Sequence, residues 1–484
     1  MNLFAVKPLS RILAEAEGEH ALKRTLGSVQ LVALGIGAII GAGLFSLTGV
    51  AAANHAGPAV VLSFVLAATA CAFAGLCYSE FSTMIPIAGS AYTYSYATMG
   101  EFLAWIIGWD LVLEYAVGAA TVAVSWSGYV ASLFKDFGII LPARLIASPF
   151  QEIVLDDGTK GFGFVNLPAV LVVTAVSLLL MIGIQESARA NSVIVILKVA
   201  VVVLFIIFGW SYINPANYEP FIPPAQETGH FGWTGVVRAA GVVFFAFIGF
   251  DAVSTAAQET KNPQRDMPIG IIGSLVVCTV LYVLFAHVLT GIVNYTEMNN
   301  AAPVATAIDR TGLAWMAKAI KIAIIAGYTS VILVMLLGQS RVFYSMSRDG
   351  LLPKLFSDVH PKWRTPWRSN MLFMVFVSLF AAFAPIQIVG EMTSIGTLFA
   401  FVLVSAGILV MRKTHPELPR PFRTPLVPLV PILGILANLF LMFGLGLENW
   451  LRLFVWLAIG LVIYFTYSRK HSLLNRPTPP VRTR

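Results

Sequence analysis

Few side chains of this sequence can do chemistry, and apolar surroundings set them apart. Lys198 stands in the run NSVIVILKVAVVVLF, eight residues into an apolar stretch. At 1.5 Å per residue that is a depth of roughly 10 Å. A lysine there either snorkels to the nearer surface or stays buried as an amine that takes up and releases a proton, because desolvation disfavours its charged form. Asp110 and Glu114 occur in WIIGWDLVLEYAVG. Four residues apart, they share one helix face. Asp110 reads as a structural hydrogen-bonding group and Glu114 as the carboxylate nearer a site. Asp251 reads as a brace for local backbone and His287 as a packed hydrogen-bonding residue. Glu80, with the following PIAGSAYTYSY taken as a tight turn, reads as support for an inner gate. No nucleophile–base set or metal-ligand spacing is evident, and the three cysteines, Cys71, Cys77 and Cys278, all fall in apolar runs as packing residues.

The elements that carry these groups are set by composition. Of 484 residues, 58% are hydrophobic and 11% charged, with a mean hydropathy of +0.82. Soluble domains carry about 25% charged residues, so an all-α polytopic membrane protein is expected. Twelve apolar stretches are long enough to span, at 30–53, 58–84, 99–134, 166–185, 191–211, 233–257, 267–292, 316–340, 370–386, 389–411, 427–446 and 450–468. With the N-terminus inside, inner segments hold 22 Lys or Arg and outer loops 4. That asymmetry predicts two cytoplasmic ends in a multi-pass plasma-membrane protein. It also accounts for the net charge of +7 without nucleic acid. The polar segment 1–29 has no cleavable signal pattern. Loops are short. The outer loop 135–165 reads as a small surface hairpin, and the basic, aromatic loop 341–369 as one that touches lipid headgroups.

Two spans contain breaks. Span 1 holds GIGAIIGAGLF at 35–45, and span 6 holds GVVFFAFIGFDAVST at 241–255. Interruptions five spans apart suggest two five-helix halves of opposite orientation, a five-plus-five inverted repeat with discontinuous spans 1 and 6. The core is then 30–411, followed by two additional helices in 412–468 and a cytoplasmic tail at 469–484. Opening at Gly41, Ala42 and Gly43 frees N–H donors suited to a carboxylate. Opening around Phe245–Ile248 frees carbonyls suited to an ammonium. Together they fit an amino acid headgroup. Glycine alone leaves close helix packing equally open.

The segments GIGAIIGAGLF, YSEFSTMIPIAGSAYTYSYATMGE, GWDLVLEY, FFAFIGFDAVSTAAQETKNPQRDMP and SRVFYSMSRDGLLP together resemble the amino acid–polyamine–organocation superfamily, and within it bacterial members of the cationic amino acid transporter subfamily. The likeness covers nearly the whole chain. It implies alternating access to a central amino acid site, with substrate carboxylate at Ile40, Gly41, Ala42 and Gly43. It implies amine binding at Phe245, Ala246 and Ile248, with the Phe245 ring as an outer lid. Lys198 matches the span 5 lysine that replaces a cation in proton-coupled relatives, with Ser330 as its hydroxyl neighbour. Met335 matches a pocket position that is small in carriers of arginine and lysine, which implies a shortened pocket and a small neutral L-amino acid such as alanine. Glu114 pulls towards a cationic side chain. The expected protein is a proton-coupled symporter without other cofactor, working as a monomer in lipid, with room for a small single-span membrane partner. A cationic amino acid or polyamine carrier or exchanger is the alternative. A channel would want a polar pore stripe, and the scarcity of charge within the spans argues against it.

Overall fold

A computed structural model of the chain describes residues 3–8, 26–85, 90–155, 158–183 and 188–474. The principal helices are α1 (Ser28–Ile39), α2 (Val60–Met84), α3 (Ser90–Thr98), α4 (Glu101–Val112), α5 (Gly118–Asp136), α6 (Leu167–Met181), α7 (Ala188–Gly209), α8 (Gly232–Val243), α9 (Pro263–Ile292), α10 (Ala314–Arg348), α11 (Trp367–Phe383), α12 (Ile386–Thr414), α13 (Leu429–Gly444) and α14 (Leu447–Ile463). Among the described residues, eight helical stretches are long and apolar enough to cross a membrane, and four apolar helices of 10–17 residues are shorter. Among the described residues, each apolar stretch in the sequence is met by helix over most of its length. Ser28–Ile39 is short because span 1 breaks after it, while the helical run after the break continues from Gly43 to Met84 through a turn at Gly57. Gly57 has φ +58°, which a β-carbon would disfavour. The protein is a multi-pass membrane protein.

Local signals explain the helix starts. Asn166 accepts from the Ala169 N–H at 3.3 Å, with proline in the first turn of α6. Proline also opens α9 after Asn262. Outward faces of α6, α7 and α11 expose Leu, Val, Ile and Phe, as a lipid-facing surface does. In the 135–165 loop, Glu152–Val154 pairs antiparallel with Lys160–Phe162, so the hairpin forms. The segment after α2 departs from the expected tight turn. Residues 86–89 lie outside the described residues, and Ser90–Thr98 is a nine-residue helix. Tyr92 and Tyr96, one turn apart, bury their rings against each other at 5.7 Å, which favours helix over turn.

Buried ions tie the bundle together. Glu80 is fully buried, and Arg412 of α12 binds it in a fork, Nε to Oε1 at 2.9 Å and Nη2 to Oε2 at 2.8 Å. The Thr424 N–H adds a third bond at 2.8 Å. Bidentate pairing of this kind is strong and directional. It fastens the connection between α12 and α13 onto α2.

Candidate functional site

Both breaks are present. Helix α1 ends at Ile39, Ile40 takes an extended conformation, and a π turn follows at Gly43–Leu47. After α8, a 3-10 turn at Phe244–Phe247 runs into Ile248 with ψ 133° and Gly249 with φ +116°. That φ is costly for a residue with a side chain. A Cβ on Gly249 would also stand 2.7 Å from the Ala38 carbonyl oxygen. Gly249 therefore lets the second break lie directly on the end of α1. Asp251 braces the turn by accepting from the Gly249 N–H at 3.2 Å.

The two breaks touch. A Cβ on Gly43 would overlap the backbone of Ala246. The Tyr282 hydroxyl of α9 bridges them, 3.0 Å from the Ile39 carbonyl and 2.9 Å from the Ala246 carbonyl. The turn after the first break is pinned further. The Tyr129 hydroxyl donates to the Phe45 carbonyl at 2.5 Å, and the Ser46 hydroxyl to the Ala301 carbonyl at 2.7 Å. In lipid, such bonds replace those the broken helix gives up. The glycines of GIGAIIGAGLF divide accordingly. Gly35 and Gly37 make room for Ser274 and Val195, Gly43 makes room for backbone, and a Cβ on Gly41 would meet only a Val331 methyl at 3.6 Å.

A cavity of about 150 Å³ lies beside the breaks. Helix α1 contributes Leu34, Gly37 and Ala38, and the second break contributes Ile248, Gly249, Asp251 and Ala252. Glu114 and Tyr115 reach it from the π turn Leu113–Val117 between α4 and α5, and Lys198 from α7. Helix α10 supplies Ser330, Val331, Val334 and Met335. Five elements thus converge on one small, mostly apolar chamber with two carboxyl groups and one amine. Such π turns often accompany functional sites because they re-aim side chains.

Of the residues expected at the site, Lys198, Glu114, Ile248, Met335 and Ser330 line this cavity. Ile40, Gly41, Ala42, Gly43, Phe245 and Ala246 do not; they are buried beside it, with Gly43 packed directly against Ala246. Phe245 is 4% exposed and is not among the residues that line the cavity.

Lys198 does not snorkel. It is 3% exposed, and its Nζ donates to the Gly37 carbonyl at 2.9 Å. Gly327 of α10 yields to the lysine stem, since a Cβ there would stand 2.9 Å from Lys198 Cε. One ammonium thereby joins α7 to α1 and packs on α10. Both Glu114 carboxyl oxygens are buried without a hydrogen bond of ordinary geometry among the described residues, with the Asp251 carboxyl and the Thr397 hydroxyl beside them. A buried polar group left so is expensive, and a ligand N–H or water in the cavity would satisfy it. Met335 reaches across to α5, with Sδ 3.4 Å from where a Gly118 Cβ would be. His287 lies apart from the cavity, stacked on Tyr218 at 4.8 Å. Among the described residues no group of three or more His, Cys, Asp or Glu is arranged to hold a metal.

Two features were not singled out from sequence. Tyr282 is one tyrosine in an apolar helix, which carries no signal alone. At the opposite end of the bundle from Glu80, Glu391 of α12 accepts from Asn449 at 2.7 Å and pairs with Arg238 at 3.8 Å and Arg452 at 3.5 Å. Gln387 links the same carboxylate to His55. Charges inside apolar stretches were the available signal for this network.

The chain matches the amino acid permease family model over residues 26–467. It is 48% identical over 477 residues to a branched-chain amino acid permease of Bacillus subtilis (strain 168), covering 98% of this chain and 99% of the relative. It is 44% identical over 475 residues to the methylthioribose transporter of the same bacterium, covering 98% and 100%. It is 30% identical over 587 residues to the vacuolar cationic amino acid transporter 4 of Arabidopsis thaliana, covering 96% and 94%. With broken helices bracketing a small chamber and likeness along its whole length, the chain belongs to the amino acid permease family, within the amino acid–polyamine–organocation superfamily.

Proposed function

We propose that this protein is a proton-coupled symporter of neutral aliphatic L-amino acids, from alanine up to the branched-chain residues, working by alternating access. It acts as a monomer with twelve crossings, a five-plus-five inverted repeat and both ends on the cytoplasmic side of the plasma membrane. The observation that carries the reading is Lys198, buried at the cavity wall and bonded to the Gly37 carbonyl. Hydrogen bonds to charged groups contribute about 1.5–3 kcal/mol and neutral ones about 0.5–1.5 kcal/mol. Protonation of Lys198 therefore biases α1 towards its docked position by about 1–2 kcal/mol, roughly 5- to 30-fold in population. Loss of the proton loosens α1, and the cavity opens towards the cytoplasm.

Substrate carboxylate binds the N–H groups of Gly41–Gly43 and the ammonium binds the carbonyls at Phe245, Ala246 and Ile248, with the contact between Gly43 and Ala246 setting the spacing of the two. The side chain enters the chamber formed by Ile248, Val331, Val334 and Met335, whose apolar walls suit an aliphatic group. The branched-chain relative supports that choice. A second reading, a cationic substrate, is favoured by Glu114 and Asp251 on the same cavity and by the plant relative. Uptake of labelled alanine and leucine into proteoliposomes, with arginine and lysine as competitors and with or without an inward proton gradient, tests both. Gradient-driven uptake blocked by leucine but not arginine supports the first reading. Block by arginine alone supports the second.

A further inference from the structure

A second cavity, far from the transport chamber, has a composition of its own. It measures about 580 Å³ and lies at the end of the bundle where α10 finishes. Arg348, Lys354, Arg368 and His471 line it, against one carboxylate, Asp358. Asp358 pairs with Arg368 at 2.7 Å. Arg348 and Lys354 have no carboxylate partner among the described residues, so the cavity carries uncompensated positive charge.

The chain builds this concavity deliberately. Gly350, with φ +81°, makes the turn after α10 and lets the backbone approach His471 so closely that a Cβ would overlap the His471 carbonyl oxygen. The Ser468 hydroxyl donates to the Leu351 carbonyl at 2.6 Å, and the Leu473 N–H to the Asp349 carbonyl at 3.0 Å. These bonds hold the segment after α14 against the turn, so Arg348 and Lys354 face His471 across the opening. The ring of Trp367 supports Arg368, whose guanidinium lies 5.3 Å from its centroid.

The cavity sits where two lipid-facing surfaces end. Helix α11 exposes Met371, Leu372 and Val375 just beyond Arg368, and α14 with the turn that follows it exposes Ile459, Val462 and Phe465 just before His471. Positive charge at the head of an apolar cleft fits a phosphate whose ester carries acyl chains. We propose that this cavity binds the phosphodiester of an anionic membrane phospholipid, with Arg348 and Lys354 on the phosphate and the acyl chains along α11 and α14. An inorganic phosphate shares the headgroup chemistry and lacks the chains.

The test uses the full-length protein in detergent, with phosphatidylglycerol, phosphatidylcholine and inorganic phosphate titrated separately and binding read by native mass spectrometry and thermal shift. Arg348→Gln with Lys354→Gln is the comparison; both side chains are exposed, and retained amino acid binding verifies the fold. Phosphatidylglycerol is expected to bind and stabilise the wild type, with affinity falling about 30-fold in the double variant. Equal binding by the variant, or equal binding of phosphatidylcholine, overturns the site. A shift by inorganic phosphate as large as that by phosphatidylglycerol overturns its assignment to lipid.

Discussion

Changing Gly43 to alanine is expected to disable substrate binding, whereas the same change at Gly41 is not. At Gly43 the new methyl would overlap the Cα and N of Ala246 and stand 2.6 Å from its Cβ. Backbone cannot rotate out of the way as a side chain can. Ordinary carbon–carbon separation is about 3.5–4.0 Å, so the two breaks would have to part by about 1 Å. Overpacking of this kind costs about 1–3 kcal/mol, which is roughly 5- to 150-fold in an equilibrium. The displaced atoms are those proposed to meet both ends of the substrate, so the cost falls on binding. At Gly41 the methyl would meet only Val331 side-chain carbons, at 3.6 and 3.9 Å, which is normal packing. The assay is equilibrium binding of labelled leucine to purified protein, with thermal unfolding measured in parallel. Gly43→Ala should lose about 10- to 100-fold in affinity, and Gly41→Ala should stay within about threefold of wild type. Wild-type affinity in Gly43→Ala, or a greater loss in Gly41→Ala, would show that contact between the breaks does not set the geometry of binding.

Tyr282→Phe removes the hydroxyl that bridges the Ile39 and Ala246 carbonyls and should cost about 1–3 kcal/mol, read as roughly tenfold weaker leucine binding. Met335→Ser lengthens the chamber between α10 and α5 and should gain arginine as a competitor of alanine uptake; no gain would remove the case for Met335 as the limit on side-chain length. Glu80→Gln breaks the fork with Arg412 and should destabilise by about 3 kcal/mol, seen as an earlier unfolding transition with substrate affinity retained.

Much of this architecture is legible in sequence because lipid imposes length and apolarity on each helix. The breaks at Ile40 and Gly249 are marked by glycine, and Lys198 by its charge in an apolar run. What glycine cannot say is which neighbour comes close. At Gly43 the missing Cβ admits the backbone of Ala246, and at Gly37 it admits Val195; the same residue type serves both. Ile40, Gly41, Ala42, Gly43, Phe245 and Ala246 read from sequence as backbone that meets an amino acid headgroup; in the fold they are buried beside the cavity, with Gly43 against Ala246. The partner of Lys198 is a backbone carbonyl 161 residues away, which no side-chain pattern reveals. Helix α3 was obscured for another reason. A tyrosine-rich stretch after proline and glycine has the composition of a turn, and its helix is held by burial of the rings.

Proton coupling through Lys198 is tested most directly by gradient-driven uptake. Proteoliposomes holding wild type or Lys198→Ala are given labelled leucine with an inward proton gradient, and counterflow exchange of leucine is measured without one. The wild type should accumulate leucine only with the gradient. Lys198→Ala should lose accumulation. Equal accumulation by wild type and Lys198→Ala, or wild-type uptake indifferent to the gradient, would contradict the assignment of Lys198 as the coupling group.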